Sequence, residues 1–215
     1  GNDSLQGGAG SDRLVGGEGF DWALFSLPRA KASLSLTSPN STALDQSGQT
    51  TSSWELRVGD EVDQLQSIER IAFADAALAL DLDSRAGDAY QLLALLFGKA
   101  ALTPQNIGLA LYLCDEGFSW QQLVSMATAS QVFLQQHASA NPSAVGSAVW
   151  THLTGAAPDQ AAKALIDQTQ AAFSGDVAAW LAWLSGLPLV QSLTGLDDLQ
   201  LVGIDYQPWG HWPGG

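Results

Sequence analysis

Residues 1–24 read GNDSLQ, GGAGSDRLV and GGEGFDWAL, and these three segments align at a period of nine residues. The aligned columns hold three glycines (Gly1, Gly10 and Gly19), three aspartates (Asp3, Asp12 and Asp21) and three apolar residues (Leu5, Leu14 and Ala23). Glycine adopts turn conformations that are costly for residues with a Cβ atom. The apolar column is expected on very short strands whose side chains face inward. The repeat therefore predicts a stack of short strands joined by glycine-rich turns.

The aspartate column indicates a metal site, because a carboxylate oxygen is the ligand that a hard cation such as Ca²⁺ requires. In the calcium-binding β-rolls that this repeat resembles, one nine-residue segment makes half a coil, which implies that turns on the same side lie eighteen residues apart. We therefore expect Asp3 and Asp21 to face each other across one calcium ion. Backbone carbonyls near Gly1, Gly17 and Gly19 are expected to add further ligands.

The middle aspartate, Asp12, falls on the opposite side of the coil. Eighteen residues downstream the chain has Ala30, so the sequence predicts only half a site there. The candidate metal-site residues are Gly1, Asp3, Gly8, Gly10, Asp12, Gly17, Gly19 and Asp21.

The pattern resembles the G-G-x-G-x-D-x-U-x repeat of the RTX (repeat-in-toxin) calcium-binding proteins of bacteria. A second stretch, Val62–Asp75, Leu78–Asp83 and Ala86–Tyr90, resembles the segment that joins the last calcium repeats of such proteins to a helical domain of unknown function. The resemblance covers residues 1 to about 195. It implies a larger parent protein with further RTX repeats upstream, which agrees with a chain that opens inside a repeat without an initiator Met.

The resemblance also implies export by the type I secretion apparatus and a location outside the cell or on its surface. Proteins of this type include adhesins, surface-layer proteins and the tails of secreted enzymes. At low cytosolic calcium the aspartate-rich turns repel one another, so the repeats are expected to stay unfolded and to fold outside the cell when calcium binds.

Composition divides the chain into four parts. Residues 1–25 are the repeats, 26–83 alternate as strands do, 84–195 carry apolar residues three and four apart, and 196–215 form a tail. Turn residues at 38–41, 46–49 and 59–60 separate the predicted strands, which we expect to be antiparallel and to cap the open end of the roll. The predicted fold class is α+β: the end of a calcium-binding parallel β-roll, a short antiparallel β cap and an all-helical domain of two similar units.

The helical part predicts a first helix with an N-cap at Asp83 or Ser84 and a stop at Gly98. Segments 96–119 and 153–174 align with each other, which indicates a duplicated unit. The polar loop residues typical of the family are mostly missing here, and a structural role does not depend on them. Further helices are expected to begin near Pro104, Ser119, Ser130, Pro142, Pro158, Ser174 and Pro188.

Several classes of function are disfavoured by the sequence. With 22 acidic against 8 basic residues, the chain lacks the basic surface that nucleic acid requires. Apolar runs are too short for a membrane span, and the single cysteine, Cys114, excludes an internal disulfide and is expected to be buried. We find no hydrolase, zinc-protease or phosphate-loop motif and expect no enzyme. His137 and His152 are expected to be isolated, and Trp120, Trp150, Trp180 and Trp183 to be core residues.

The tail combines a predicted strand, Leu199–Asp205, with a Pro- and Gly-rich end that carries Trp209 and Trp212. The resemblance implies an uncleaved export signal; docking onto the helical domain or a small patch for self-assembly are alternatives. We interpret the chain as a non-catalytic calcium-binding C-terminal module of an exported protein of adhesin or surface-layer type. The alternatives are a surface- or glycan-binding module and the tail of a secreted hydrolase whose catalytic domain lies upstream.

Overall fold

The computed structural model describes residues 1–38 and 53–210. The predicted turns within 39–52 and the residue Trp212 lie outside the described residues. The chain forms two compact units. The β unit comprises Gly1–Leu82 with Asp198–Gly215, and the helical unit comprises Asp83–Asp197. The fold class is α+β.

The β unit holds two mixed sheets. The strands are β1 (Ser4–Leu5), β2 (Arg13–Val15), β3 (Trp22–Leu24), β4 (Ser33–Ser38), β5 (Ser53–Val58), β6 (Glu61–Gln66), β7 (Arg70–Ala72), β8 (Ala77–Ala79) and β9 (Ile204–Tyr206). One sheet has the order β1-β3-β7-β8-β9 and the other the order β2-β6-β5-β4. A one-turn 3₁₀ helix at Arg29–Lys31 precedes β4.

The strands of the repeat pair in parallel. Ser4 lies opposite Trp22 in the β1–β3 pair, which is the eighteen-residue offset expected for one coil. Strand β2 pairs in parallel with β6, and β3 with β7. The remaining pairs, β4–β5, β5–β6, β7–β8 and β8–β9, are antiparallel. In both sheets, parallel pairing therefore gives way to antiparallel pairing after β6 or β7.

The apolar column of the repeat points into the core of the β unit. Leu14 is buried and Ala23 is fully buried, and they pack in one cluster with residues of the later strands such as Leu65, Ile71 and Leu78. Leu5 packs against the edge of this cluster. The apolar residue two positions after each aspartate thus faces the core, and its burial stabilises the short strand that carries it.

The first helix of the helical unit begins at Arg85. Its helices are α1 (Arg85–Phe97), α2 (Pro104–Asp115), α3 (Trp120–Ala129), α4 (Gln131–His137), α5 (Pro142–Thr154), α6 (Gln160–Ala171), α7 (Val177–Ser185), α8 (Pro188–Thr194) and α9 (Leu196–Leu199). Helices α6 and α7 start later than the prolines and serines suggested, because Asp159 and Asp176 are the N-caps and accept backbone N–H groups. Ser119 and Gln122 form a capping box at α3. Cys114 is buried.

The C-terminal segment differs from its predicted form. The expected strand over Leu199–Asp205 is wrong in its first half, because α9 occupies Leu196–Leu199 and Gly203 turns with φ +77°. Strand β9 then pairs antiparallel with β8, and Arg29 forms an ion pair with Asp205 at 2.7 Å.

Among the described residues, no single helix has the length and apolar character of a membrane span, although the bent pair α7 and α8 meets both criteria when taken together.

Candidate metal centre

The turns of the repeat need glycine for steric reasons. Gly8, Gly10, Gly17 and Gly19 have φ values of +97°, +105°, +86° and +137°, a region that residues with a Cβ rarely adopt. At Gly19 a Cβ would also overlap the carbonyl oxygen of Gly1. The turns of neighbouring coils therefore approach each other as closely as the backbone allows.

The structure brings the two aspartates Asp3 and Asp21 together. Asp21 is fully buried, and its Oδ1 accepts the backbone N–H of Asp3 at 2.7 Å. The backbone N–H of Trp22 donates to the carbonyl of Asp3 at 2.8 Å. The side chain of Asp3 itself is exposed. Asp21 is therefore the buried anion of this pair.

The position expected one coil beyond Asp12 was wrong. Ala30 lies in the one-turn helix before β4, whereas Asp63 occupies the position opposite Asp12. The backbone N–H of Asp12 donates to Asp63 Oδ1 at 2.8 Å, and Gln64 N–H donates to the carbonyl of Asp12 at 2.8 Å. The eighteen-residue offset between coils does not hold here, because the β4–β5 hairpin is inserted between the two coils.

A third contact of the same kind joins Asp21 to Glu69. The backbone N–H of Asp21 donates to Glu69 Oε2 at 2.7 Å, and the Glu69 N–H returns to the carbonyl of Asp21 at 3.2 Å. Each carboxylate thus accepts the amide of the acidic residue one coil earlier. We call these contacts the carboxylate ladder, which runs Asp3–Asp21–Glu69 on one side and Asp12–Asp63 on the other.

Sequence reasoning missed Asp63 and Glu69, although a signal was present. Asp63–Leu65 and Glu69–Ile71 both place an acidic residue two positions before a buried apolar residue, as the repeat does. The glycines that mark the earlier turns are missing in both, so a search by glycine spacing passes over them.

Two oxygens of the ladder, Asp12 Oδ2 and Asp21 Oδ2, are buried and have no hydrogen-bond partner among the described residues. A Cβ on Gly7 or Gly16 would lie only 2.6 Å from the respective oxygen, so each oxygen lies in space that glycine leaves open. A buried carboxylate oxygen without a partner is costly. Oxygen donors of this kind fit Ca²⁺, which takes six to eight oxygen ligands.

Side chains alone do not complete such a site. Among the described residues, no group of three or more His, Cys, Asp or Glu is placed to hold a metal. Backbone carbonyls of the turns must therefore supply the other ligands, as expected from the glycine-rich sequence.

Burial and mutual repulsion affect the carboxylates of the ladder. Burial raises the pKa of Asp63; the Asp12 amide lowers it, and the charges of Asp12 and Glu61 raise it. Burial likewise raises the pKa of Glu69, and the charge of Asp21 adds to the effect. A bound cation would relieve both causes.

The comparison with protein families agrees with this geometry. Residues 1–23 match the family model of the RTX calcium-binding nonapeptide repeat (4 copies). They are calcium-binding repeats. Neither the curated proteins nor the solved structures contain a match to the chain. The match ends before the β4–β5 hairpin, so Asp63 and Glu69 lie outside the RTX repeats as the family defines them.

The helical unit has two features that the sequence did not predict. A mostly apolar cavity of about 500 Å³ is bordered by α1 to α4, and Asn106, Ser130 and Gln136 are its polar side chains. His137 and His152 are not isolated, since their ring centroids lie 5.8 Å apart.

The tryptophans of the helical unit are only partly core residues. Trp180 is buried and donates to Thr169 Oγ1 at 3.1 Å, whereas Trp183 is 42% exposed and packs on Phe173.

Proposed function

We propose that this chain is a non-catalytic calcium-binding module of an extracellular protein, and that its RTX repeats fold when calcium binds. The observation that carries the proposal is Asp21, a fully buried carboxylate within the matched repeats. One of its oxygens accepts the Asp3 amide, and the other has no hydrogen-bond partner in the part of the chain that the structure describes. A cation at Asp21 would offset the cost of burying this charge.

The mechanism couples ion binding to folding. Without metal, the charges of Asp12 and Asp63, and those of Asp21 and Glu69, repel each other across neighbouring coils. Calcium that binds the folded coils but not the unfolded chain shifts the equilibrium toward the folded state. An affinity of about 10⁻⁴–10⁻³ M, typical of extracellular calcium modules, would keep the repeats unfolded in the cytosol and folded outside.

Export through a type I secretion channel fits this mechanism, because an unfolded repeat can pass a narrow channel. RTX repeats are typical of proteins secreted in this way. We propose that the parent protein is an adhesin or a surface-layer protein, and that the antiparallel strands β4, β5, β8 and β9 cap the roll. The change from parallel to antiparallel pairing in both sheets supports the capping role.

Circular dichroism and titration calorimetry of the chain test the proposal. We expect calcium to bind saturably and to raise the melting temperature of the β unit, whereas magnesium at the same concentration has little effect, because it demands a tighter octahedral site. Equal melting curves in calcium and in chelator, with no heat of binding, would refute the proposal.

A further inference from the structure

The turn Ser67–Glu69 lies one coil beyond the matched repeats and directly beside the last repeat turn. The backbone N–H of Gly16 donates to the carbonyl of Gln66 at 3.0 Å, which brings the two turns into register. Ser67 is a non-glycine residue with φ +51°. Such a conformation costs a residue with a Cβ on the order of 1 kcal/mol or more. The strained turn directs its carbonyl groups differently from a continuing strand.

Two oxygens converge on the space beside Gly16. A Cβ at this residue would overlap the carbonyl oxygen of Ser67 and would lie 2.6 Å from Asp21 Oδ2. Gly16, unlike Gly17, has no positive φ that would require glycine, so the missing side chain matters here for space. Glycine at position 16 thus lets a carboxylate oxygen of Asp21 and the carbonyl oxygen of Ser67 approach the same point of the backbone.

Glu69 places a second carboxylate beside Asp21. Its Oε2 accepts the Asp21 amide at 2.7 Å, so its carboxyl group is held next to the backbone of Asp21. Burial raises the pKa of Glu69, and the charges of Asp21 and Asp81 add to this effect. The neighbouring guanidinium of Arg70 hydrogen-bonds to Asp81 and to the carbonyl of Glu69. Three carboxylates, those of Asp21, Glu69 and Asp81, therefore lie close together with one guanidinium.

We propose that Asp21 Oδ2, the Ser67 carbonyl and the Glu69 carboxylate bind a calcium ion. This site is distinct from the expected one between Asp3 and Asp21, and Glu69 takes the place of a repeat aspartate in a turn without glycine. The inference rests on the proposed function, because it requires that the last repeat turn binds calcium. Carboxylate and carbonyl oxygens together favour calcium over softer metals.

Calorimetry and native mass spectrometry of the full chain test the site with Glu69→Gln. The glutamine oxygen still accepts the Asp21 amide, so the turn keeps its hydrogen bond while the charge is lost. We expect the variant to bind one calcium ion fewer, or to bind one ion at least about tenfold more weakly, since affinity follows the charge of the ligands. Glu18→Gln removes an equal charge from an exposed position in the adjacent turn and should leave binding unchanged.

The outcomes separate the two proposals. Normal calcium binding by Glu69→Gln overturns the site and leaves the proposed function intact, whereas a wild-type chain that binds no calcium overturns both. A crystal of the wild-type chain soaked with Tb³⁺ gives a test that does not depend on the folding of a variant. Anomalous density beside Asp21 Oδ2 and the Ser67 carbonyl supports the site, and density only between Asp3 and Asp21 overturns it.

Discussion

Replacement of Asp21 by asparagine isolates the charge of the central carboxylate. Asparagine has nearly the same size, and its Oδ1 can accept the Asp3 amide as Asp21 Oδ1 does at 2.7 Å. Its amide nitrogen would lie near the Ser67 carbonyl oxygen, which packs against Gly16 as Asp21 Oδ2 does. Asp21→Asn therefore keeps the packing of a fully buried residue and exchanges an ion ligand for a hydrogen-bond donor.

The variant should be more stable than the wild type in chelator and should gain much less stability from calcium. In chelator, loss of the buried oxygen without a partner raises the free energy of unfolding by about 1–3 kcal/mol. In calcium at 100 times the dissociation constant, the wild type gains about 2.7 kcal/mol. A variant with about 100-fold weaker binding gains only about 0.4 kcal/mol under the same conditions. Since 1 kcal/mol shifts the melting temperature of a small domain by about 4–8 °C, calcium raises it by about 10–20 °C in the wild type and by about 2–3 °C in Asp21→Asn.

Thermal unfolding followed by circular dichroism, in chelator and in calcium, measures both shifts. Asp60→Asn serves as the control, because it removes an equal charge from an exposed turn of the β unit. A calcium-induced shift as large in Asp21→Asn as in the wild type would refute the reasoning. A variant that is less stable than the wild type by the same amount in both conditions would show that Asp21 acts through packing alone.

Three further changes test other parts of the structure. Arg70→Met leaves Asp81 buried without its guanidinium and should lower the unfolding free energy in urea by about 3–5 kcal/mol, most of which Arg70→Met/Asp81→Leu should recover. Gly146→Ala places a Cβ against Ile166 Cγ2 and should lower the free energy of unfolding by about 1–3 kcal/mol, although alanine has the better helix propensity. The double variant Gly146→Ala/Ile166→Ala should lose less stability than the sum of the two single changes. Burial and the neighbouring His152 lower the pKa of His137 in the folded state. The stability that is present above the unfolded-state pKa of about 6.5 should therefore decline as the pH falls toward the lower folded-state pKa. Thermal unfolding as a function of pH should show a smaller decline in His137→Phe.

The repeat was predictable because glycine and apolar residues, which have strict steric roles, recur at a fixed period. Glycines with positive φ mark the turns, and the apolar column marks the strands, so the eighteen-residue offset of Ser4 and Trp22 follows from counting. Helix starts were predictable for a similar reason, since Ser119 and Ser130 are caps whose hydrogen bonds involve residues three positions away. Local chemistry therefore fixed these elements.

The rest depended on contacts between distant residues. The pairing of Asp12 with Asp63 spans 51 residues and an inserted hairpin, and no periodic count reaches across it. The meeting of His137 and His152 likewise depends on the packing of α4 and α5, which neither helix encodes alone. A search for acidic residues two positions before apolar ones includes Asp63 and Glu69 without knowledge of the fold.

The last turn in a stack of calcium-binding turns lacks part of its ligand set, because each ion needs oxygens from two coils and the last turn has only one neighbour. The chain stops supplying glycine turns after Asp21, yet the next coil still places Glu69 against the Asp21 amide and the Ser67 carbonyl beside Gly16. Its strand β7 then pairs with the antiparallel β8, so the parallel stack ends there. An acidic residue retained in a turn that has lost its glycines is expected if its charge completes the last ion site. If the Glu69 side chain served only to accept the Asp21 amide, a glutamine oxygen could accept it equally, and Glu69→Gln would bind calcium as the wild type does.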